Sequence, residues 1–271
     1  MPAALRLLGE TLRSANLNVL RLYARDDQLA REYWSQMIQR YGELMGLGLP
    51  HRDPVEFIYE QGWATRSGSE RSQIPAILNT AGGTRLDELA TLASVTAVLR
   101  PSRVFEIGTF MGRTTSVFVM NAGGGEVISL DLPVDAPVVT APAGAGYIDT
   151  DVTLIAERRV GSVLRELGLE HRYRQLYADS MQFEPAPYAG SVELGFIDGA
   201  HAREYVENDT RKMAIMMADR GLVFWHDYGG RGRFRELTEY LEGLARRIPM
   251  YRVQSTSLAW APAKALKGLF A

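Results

Sequence analysis

The sequence predicts an α/β protein, a doubly wound and mostly parallel sheet preceded by a helical N-terminal extension. Three observations predict it. Short apolar runs recur at 104–107, 127–130, 173–177, 192–197 and 222–225, stretches suited to helix lie between them, and the first run enters a glycine-punctuated turn that opens straight into a helix. Strands alternating with helices are the rhythm of βαβ units, whose crossover helices cover a parallel sheet.

The elements follow in order. From Asp26 to Gly46 the apolar residues Leu29, Tyr33, Met37, Tyr41 and Leu44 recur every three or four positions, with Asp26 or Asp27 able to cap the start and Gly46 the end of an amphipathic helix. Asp53-Pro54 opens another, with the acid as N-cap and proline at the first helical position. The aromatic residues Tyr23, Tyr33, Trp34, Tyr41, Phe57, Tyr59 and Trp63 can pack a core, line a pocket or form a dimer contact. After the turn-rich 80–83 segment, a helix over 86–99 leads into the first strand. Helices are expected at 114–121, 152–167 and 202–218, and two last short runs, 251–254 and 258–260, complete a count of seven strands. The Pro/Ala/Gly/Val mixture at 132–147 lacks periodicity and reads as a flap or as a long connection. Residues 1–83 are thus expected to form a helical cap or dimerisation region, and 84–271 the main domain.

Composition narrows the function. A hydrophobic content of 46% over 271 residues is ample for a core. The net charge of -2 and pI near 6.1 give no global attraction to nucleic acid. With no cysteine, disulfides, thiolate metal sites and cysteine nucleophiles are excluded. No apolar run approaches the ~20 residues of a membrane span, and charges interrupt the first eighteen residues, so neither a membrane nor a secretory signal is expected and the cytoplasm is the expected location.

The most informative segment is Glu106-Ile107-Gly108-Thr109-Phe110-Met111-Gly112. Gly108 can take the backbone angles of a tight turn, and a ligand can approach its main chain closely. Glu106 is expected beneath a crevice or ligand, since an acid at a strand's carboxyl edge needs solvation. Asp131 ends the next strand at about the ~20-residue distance of a carboxylate that holds ribose hydroxyls. The spacing Gly108-x-x-x-Gly112 departs from that of dinucleotide enzymes, and Phe110 stands where their second glycine lets a pyrophosphate touch the backbone. A ligand without phosphates fits better.

These residues resemble the first motif of class I S-adenosylmethionine-dependent methyltransferases, in particular the small-molecule O-methyltransferase branch, and Ala178-Asp179-Ser180 resembles a third motif of that family. The resemblance covers about 86–260 and implies a seven-stranded Rossmann-like sheet with a terminal hairpin. It also implies S-adenosyl-L-methionine as cofactor, with the 108–112 turn, including Thr109, against its methionine part, Asp131 on the ribose, and Asp179 with Ser180 near the adenine.

Two further strand ends carry acids. Asp198 closes 192–197 and is followed by Gly199, Ala200 and His201, while His226-Asp227-Tyr228 closes 222–225. Side chains from adjacent strand ends can converge, and a divalent cation such as Mg²⁺ lets two carboxylates share a point. The resemblance, closest here to bacterial enzymes acting on sugars and other natural products, implies Asp198 and Asp227 as metal ligands, Asp198 also beside the cofactor, and His201 as general base. Tyr228 replaces the asparagine ligand of catechol-type members. Helix capping is the plain alternative for Asp198 and Asp227, and a hydrogen-bonded structural role is expected of His226. Tyr205 and Asp209 are expected to support the site from behind, whereas Arg158, Arg159 and Arg165 read as a solvated face.

The expected reaction is methyl transfer to a hydroxyl of a small molecule, with neither nucleic acid nor membrane as partner and with a homo-oligomer formed through the N-terminal helices as one arrangement. A dinucleotide-dependent oxidoreductase and a non-catalytic cofactor-binding protein are the competing readings.

Overall fold

A computed structural model describes residues 48–76, 83–133, 159–229 and 234–270. The expected helix at 26–46, its aromatics, residues 134–147 of the expected flap and the start of the helix at 152–167 lie outside the described residues.

Helix α1 (Pro54–Glu60) begins as its sequence requires: Asp53 Oδ1 accepts from Val55 N–H at 2.7 Å and Glu56 N–H at 3.3 Å, with Pro54 in the first turn. The Phe57 ring meets Trp63 and Trp260 edge-on at 5.6 and 5.3 Å, so this part of the aromatic stripe is core packing. Next come α2 (Leu86–Leu99), β1 (Arg103–Ile107), α3 (Arg113–Asn121), β2 (Glu126–Asp131), α4 (Ser162–Glu166), β3 (Arg174–Tyr177), β4 (Val192–Ile197) and α5 (Arg203–Met216). The chain continues through β5 (Met217–Trp225), α6 (Arg235–Leu244), β6 (Tyr251–Arg252), β7 (Ala259–Pro262) and α7 (Ala263–Phe270).

The seven strands form one sheet in the order β3-β2-β1-β4-β5-β7-β6. Pairings from β3 across to β5 are parallel, while β7 runs antiparallel to both β5 and β6, so the sheet is mixed, as the expected terminal hairpin requires. Both faces are covered, which is why the central strands read as continuous apolar runs. Val104, Val127, Leu194, Phe196, Leu222 and Phe224 meet α1, α2 and α3 on one face. Phe105, Ile107, Ile128, Ile197, Val223 and Trp225 meet α5, α6 and α7 on the other.

Two elements differ from expectation. β5 starts at Met217, immediately after α5, because Met217 pairs with Val192 and the register then shifts before Leu194 meets Leu222. The intervening polar residues hid this from periodicity: Arg220 bonds Glu193 at 2.7 Å and the Leu99 carbonyl at 2.7 Å. Helix α7 lies beyond the last element read from the sequence, and it buries Ala263 and Leu266 against the second face.

The order of strands places a topological switch point between β1 and β4, the usual crevice of an open α/β sheet. Here Gly108 has φ +101°, and a Cβ on it would lie 2.0 Å from the Asp198 carbonyl oxygen. Gly108→Ala should therefore cost more than about 2 kcal/mol in urea unfolding, combining strain with a backbone clash. Gly62→Ala, with φ +67° but nothing within 4 Å of the added carbon, should cost only about 1 kcal/mol.

Candidate active site

The site is assembled from the carboxyl ends of β1, β2, β4 and β5. On the β2 side, Asp131 is half-buried and faces the turn after β1: its Oδ2 accepts from Phe110 N–H at 2.7 Å and its Oδ1 from Leu132 N–H at 2.7 Å. Phe110 has φ 47° and Gly112 φ 84°, so the main chain of this turn folds back under the Asp131 carboxylate. The Thr109 hydroxyl shares a 2.6 Å hydrogen bond with Ser129 and accepts from Gln175 Nε2 at 2.9 Å. Asp179 accepts from Met181 N–H at 2.9 Å and from the Tyr205 hydroxyl at 3.3 Å. Ser180 accepts at its carbonyl from Asn208 at 3.0 Å and Lys212 at 2.6 Å, and Asn208 Nδ2 also donates to Asp209 Oδ1 at 2.8 Å. Tyr205 thus touches Asp179 directly, and Asp209 is linked to Ser180 through Asn208.

Glu106 does not meet a crevice directly. It is fully buried on the α3 side, where its Oε2 accepts from Thr115 and Ser129, each at 2.5 Å, while Oε1 has no hydrogen-bond partner. Burial, reinforced by Asp198 and Asp131, outweighs those hydrogen bonds and pushes its pKa up to about 8. Glu106 is therefore a neutral acid beneath the turn at neutral pH.

At the β4–β5 edge, Ile197 pairs with Trp225, so the residue directly beside Asp198 is His226 rather than Asp227. Asp227 follows with φ 60°, and its Oδ2 reaches His201 Nε2 at 2.8 Å. The His201 ring, itself buried, lies against Phe234 with centroids 4.4 Å apart. Ligand atoms of Asp198, His201 and Asp227 all lie within 4.8 Å of one another. The expected trio thus comes together, and a donor set of two carboxylates and an imidazole fits a small divalent cation. Tyr228 is tied elsewhere: its hydroxyl accepts from Leu49 N–H at 2.8 Å, beneath the site.

His226 is hydrogen-bonded, as expected, but within the site. Its Nε2 lies 3.0 Å from Glu88 Oε2, and its Nδ1 lies 3.2 Å from Asp198 Oδ1 and 3.3 Å from Asp227 Oδ2, shared between the two without aligning as a hydrogen bond to either. Burial alone would lower the His226 pKa, but the Asp198 and Asp227 charges outweigh it and raise the value well above the ordinary one. Asp227 is correspondingly depressed: burial opposes its ionisation, and the nearby His226 charge with the His201 contact prevails. For Asp198 burial prevails over His226, and its pKa is raised.

Glu88 escaped the sequence reading. Fully buried on α2, it accepts from Arg85 N–H at 2.9 Å and from the Ser257 N–H and hydroxyl at 2.8 and 2.6 Å, besides its contact with His226. The signal was present, since Glu88 lies on the same helical stripe as the buried Leu92, Val95 and Leu99. Burial opposes its ionisation too, but His226 and the Ser257 donors bring its pKa down to about 2.

Removing Glu88 as Glu88→Ala takes away one of the three carboxylates around His226 and leaves the partly buried Arg85 and Ser257 donors unpaired, and should cost about 1–3 kcal/mol in urea unfolding at pH 7. Because its folded pKa is depressed from 4.5, the stabilisation is present above pH 4.5 and is lost as pH falls toward about 2. Glu106 acts in the opposite sense: between pH 4.5 and about 8 the unfolded chain releases a proton that the folded protein keeps, so stability falls as pH rises through that window. Glu106→Gln should flatten the unfolding free energy between pH 5 and 8; an unchanged slope would refute the buried neutral acid.

Residues 105–228 match a family model described as a methyltransferase domain. Among solved structures, the S-adenosylhomocysteine-bound methyltransferase PaMTH1 of Podospora anserina is 14% identical, the match covering 78% of this chain and 96% of that one at a TM-score of 0.50. Cofactor-bound Rv0187 from MTB is 17% identical, with 79% and 91% covered at a TM-score of 0.48. No curated protein matches by sequence. Among the described residues no helix is long and apolar enough to cross a membrane. Over 105–228 the chain is thus similar to a methyltransferase domain, and its seven-stranded sheet has the fold of the methyltransferase PaMTH1.

Proposed function

We propose that the protein transfers a methyl group from S-adenosylmethionine to a hydroxyl of a small molecule. The observation that carries this reading is the convergence of Asp198, His201 and Asp227 at the strand edge next to the turn that Asp131 faces. S-adenosylmethionine supplies an electrophilic methyl group on its sulfonium. The residues of the chain hold the two reactants close and manage one proton. Asp131 is the ribose carboxylate, the 108–112 turn supports the amino-acid part, and Asp179 and Ser180 border the adenine.

His201 takes the proton from the acceptor hydroxyl. Its Nε2 contact with Asp227 stabilises the imidazolium that forms, the role of the carboxylate in any histidine–carboxylate pair. Mg²⁺ or a similar cation would be held by Asp198 and Asp227 and would supply Lewis acidity that lowers the pKa of the hydroxyl. The N-terminal region over 1–83 would cover the acceptor or pair two copies of the chain, in the cytoplasm and with neither nucleic acid nor membrane as partner. Its described part already belongs to the core, because α1 packs against Trp260 of β7.

Calorimetric titration of S-adenosylhomocysteine, with and without Mg²⁺, tests the cofactor. Micromolar binding to the wild type that is lost in Asp131→Ala is expected, and no binding to the folded wild type would overturn the reading. His201→Ala should lower kcat by about 10²–10⁴-fold while leaving S-adenosylhomocysteine affinity intact; full activity in this variant would remove its assignment as base. Turnover unaffected by EDTA would remove the metal.

A further inference from the structure

Resting on the cation in the reading above, we propose that His226 is a further ligand to that cation through Nδ1, oriented by Glu88, and that the site therefore selects a first-row transition ion over Mg²⁺. Neither the added ligand nor the choice of ion is implied by the two aspartates alone.

The pairing of Ile197 with Trp225 brings His226 beside Asp198, so three potential ligands come from two adjacent strand ends. His226 Nδ1 is buried and makes no hydrogen bond, yet it stands 3.2 Å from Asp198 Oδ1 and 3.3 Å from Asp227 Oδ2. Donors bonded at about 2.0–2.2 Å to one ion lie about 2.8–3.6 Å apart when the angle between them is octahedral to tetrahedral. Both separations are therefore those of neighbouring ligands around a single cation. His201 keeps its contact with Asp227 and its place as base.

The opposite side of the ring points to the same role. Nε2 lies 3.0 Å from Glu88 Oε2, and that carboxylate is surrounded by donors, taking the Arg85 N–H at 2.9 Å and the Ser257 N–H and hydroxyl at 2.8 and 2.6 Å. An acceptor at Nε2 holds a proton there, so in the neutral ring the lone pair is on Nδ1 and faces two carboxylate oxygens. Such a lone pair calls for a cation, and a carboxylate behind the outer nitrogen is the usual support of a metal-bound imidazole. Because Glu88 is fully buried, turning the ring away would leave its carboxylate short of a donor. An ion that binds Nδ1 displaces to solvent any proton held there. The nitrogen also sets the choice of ion: Mg²⁺ favours oxygen ligands, whereas an imidazole beside carboxylates suits Co²⁺, Ni²⁺ or Zn²⁺.

The test titrates Co²⁺ and Mg²⁺ separately into wild type, His226→Asn and Glu88→Gln by calorimetry. Wild type should bind Co²⁺ at least about 10-fold tighter than Mg²⁺. His226→Asn should weaken Co²⁺ by roughly 10–100-fold and leave Mg²⁺ within about 3-fold, and Glu88→Gln, which keeps the ligand but loosens its support, should weaken Co²⁺ by about 10-fold. A second measurement needs no change at His226: in Co²⁺-loaded His201→Ala, the Nε2–H of a ligating His226 should give a strongly shifted, exchangeable proton resonance. Equal affinity of wild type for the two ions, parallel loss of both in folded His226→Asn, or no shifted proton would overturn the assignment. If wild type binds S-adenosylhomocysteine but neither ion, the cation of the reading above fails and this ligand with it, while the methyl-transfer reading stands.

Discussion

The contact between Gly108 and the Asp198 carbonyl, where an added Cβ would come within 2.0 Å of oxygen, is the constraint on which the rest of the site depends. It lies where the strand order reverses, so the chain leaving β1 turns toward β2 and the chain leaving β4 turns toward β5. The two strand ends can sit this close only because one of them has no side chain. From that junction Asp131, Asp198 and Asp227 are delivered to one edge, and the short register of β1 against both neighbours leaves little freedom in their spacing.

Electrostatics makes this edge costly. Carboxylates gathered at strand ends repel one another, and the protein answers in two ways. Glu106 is kept neutral by burial, with a pKa near 8. His226 is wedged against Asp198 and Asp227 and is held from behind by Glu88. Asp227 is depressed by the His226 charge and the His201 contact, and Asp198 is raised by burial. Asp227 remains an anion beside His201, suited to stabilising a positive imidazole, while the main chain of Asp198 adjoins the turn at Gly108.

Glu88 also explains why parts of the chain remote from the motifs matter. Its carboxylate is gripped by Ser257, in the connection between β6 and β7, and by the start of α2. The hairpin and the helix before β1 therefore fix the orientation of an imidazole at the end of β5. The Tyr228 hydroxyl, bonded to Leu49, adds a similar tie to the segment before α1. Stability and the geometry of the site are coupled through these buried polar contacts, where partners lost from either side leave unpaired groups in low dielectric.

Much of this was legible in the residues. The apolar runs of β1, β2 and β4 could be read because strands buried on both faces need continuous hydrophobicity, the start of α1 because Asp53-Pro54 is a local capping signal, the acids Asp131, Asp198 and Asp227 because strand ends of a parallel sheet share an edge, and His201 through the family resemblance of the Asp198–His201 segment. Local chemistry determined these. Tertiary structure alone decided that Glu106 is a buried neutral acid, that His226 rather than Asp227 stands beside Asp198, and that Glu88 holds it. It also decided that β5 begins at Met217. The physical reason is common to all of these: burial, register and pairing depend on residues far apart in sequence, and a residue's charge and orientation follow from what the fold packs around it.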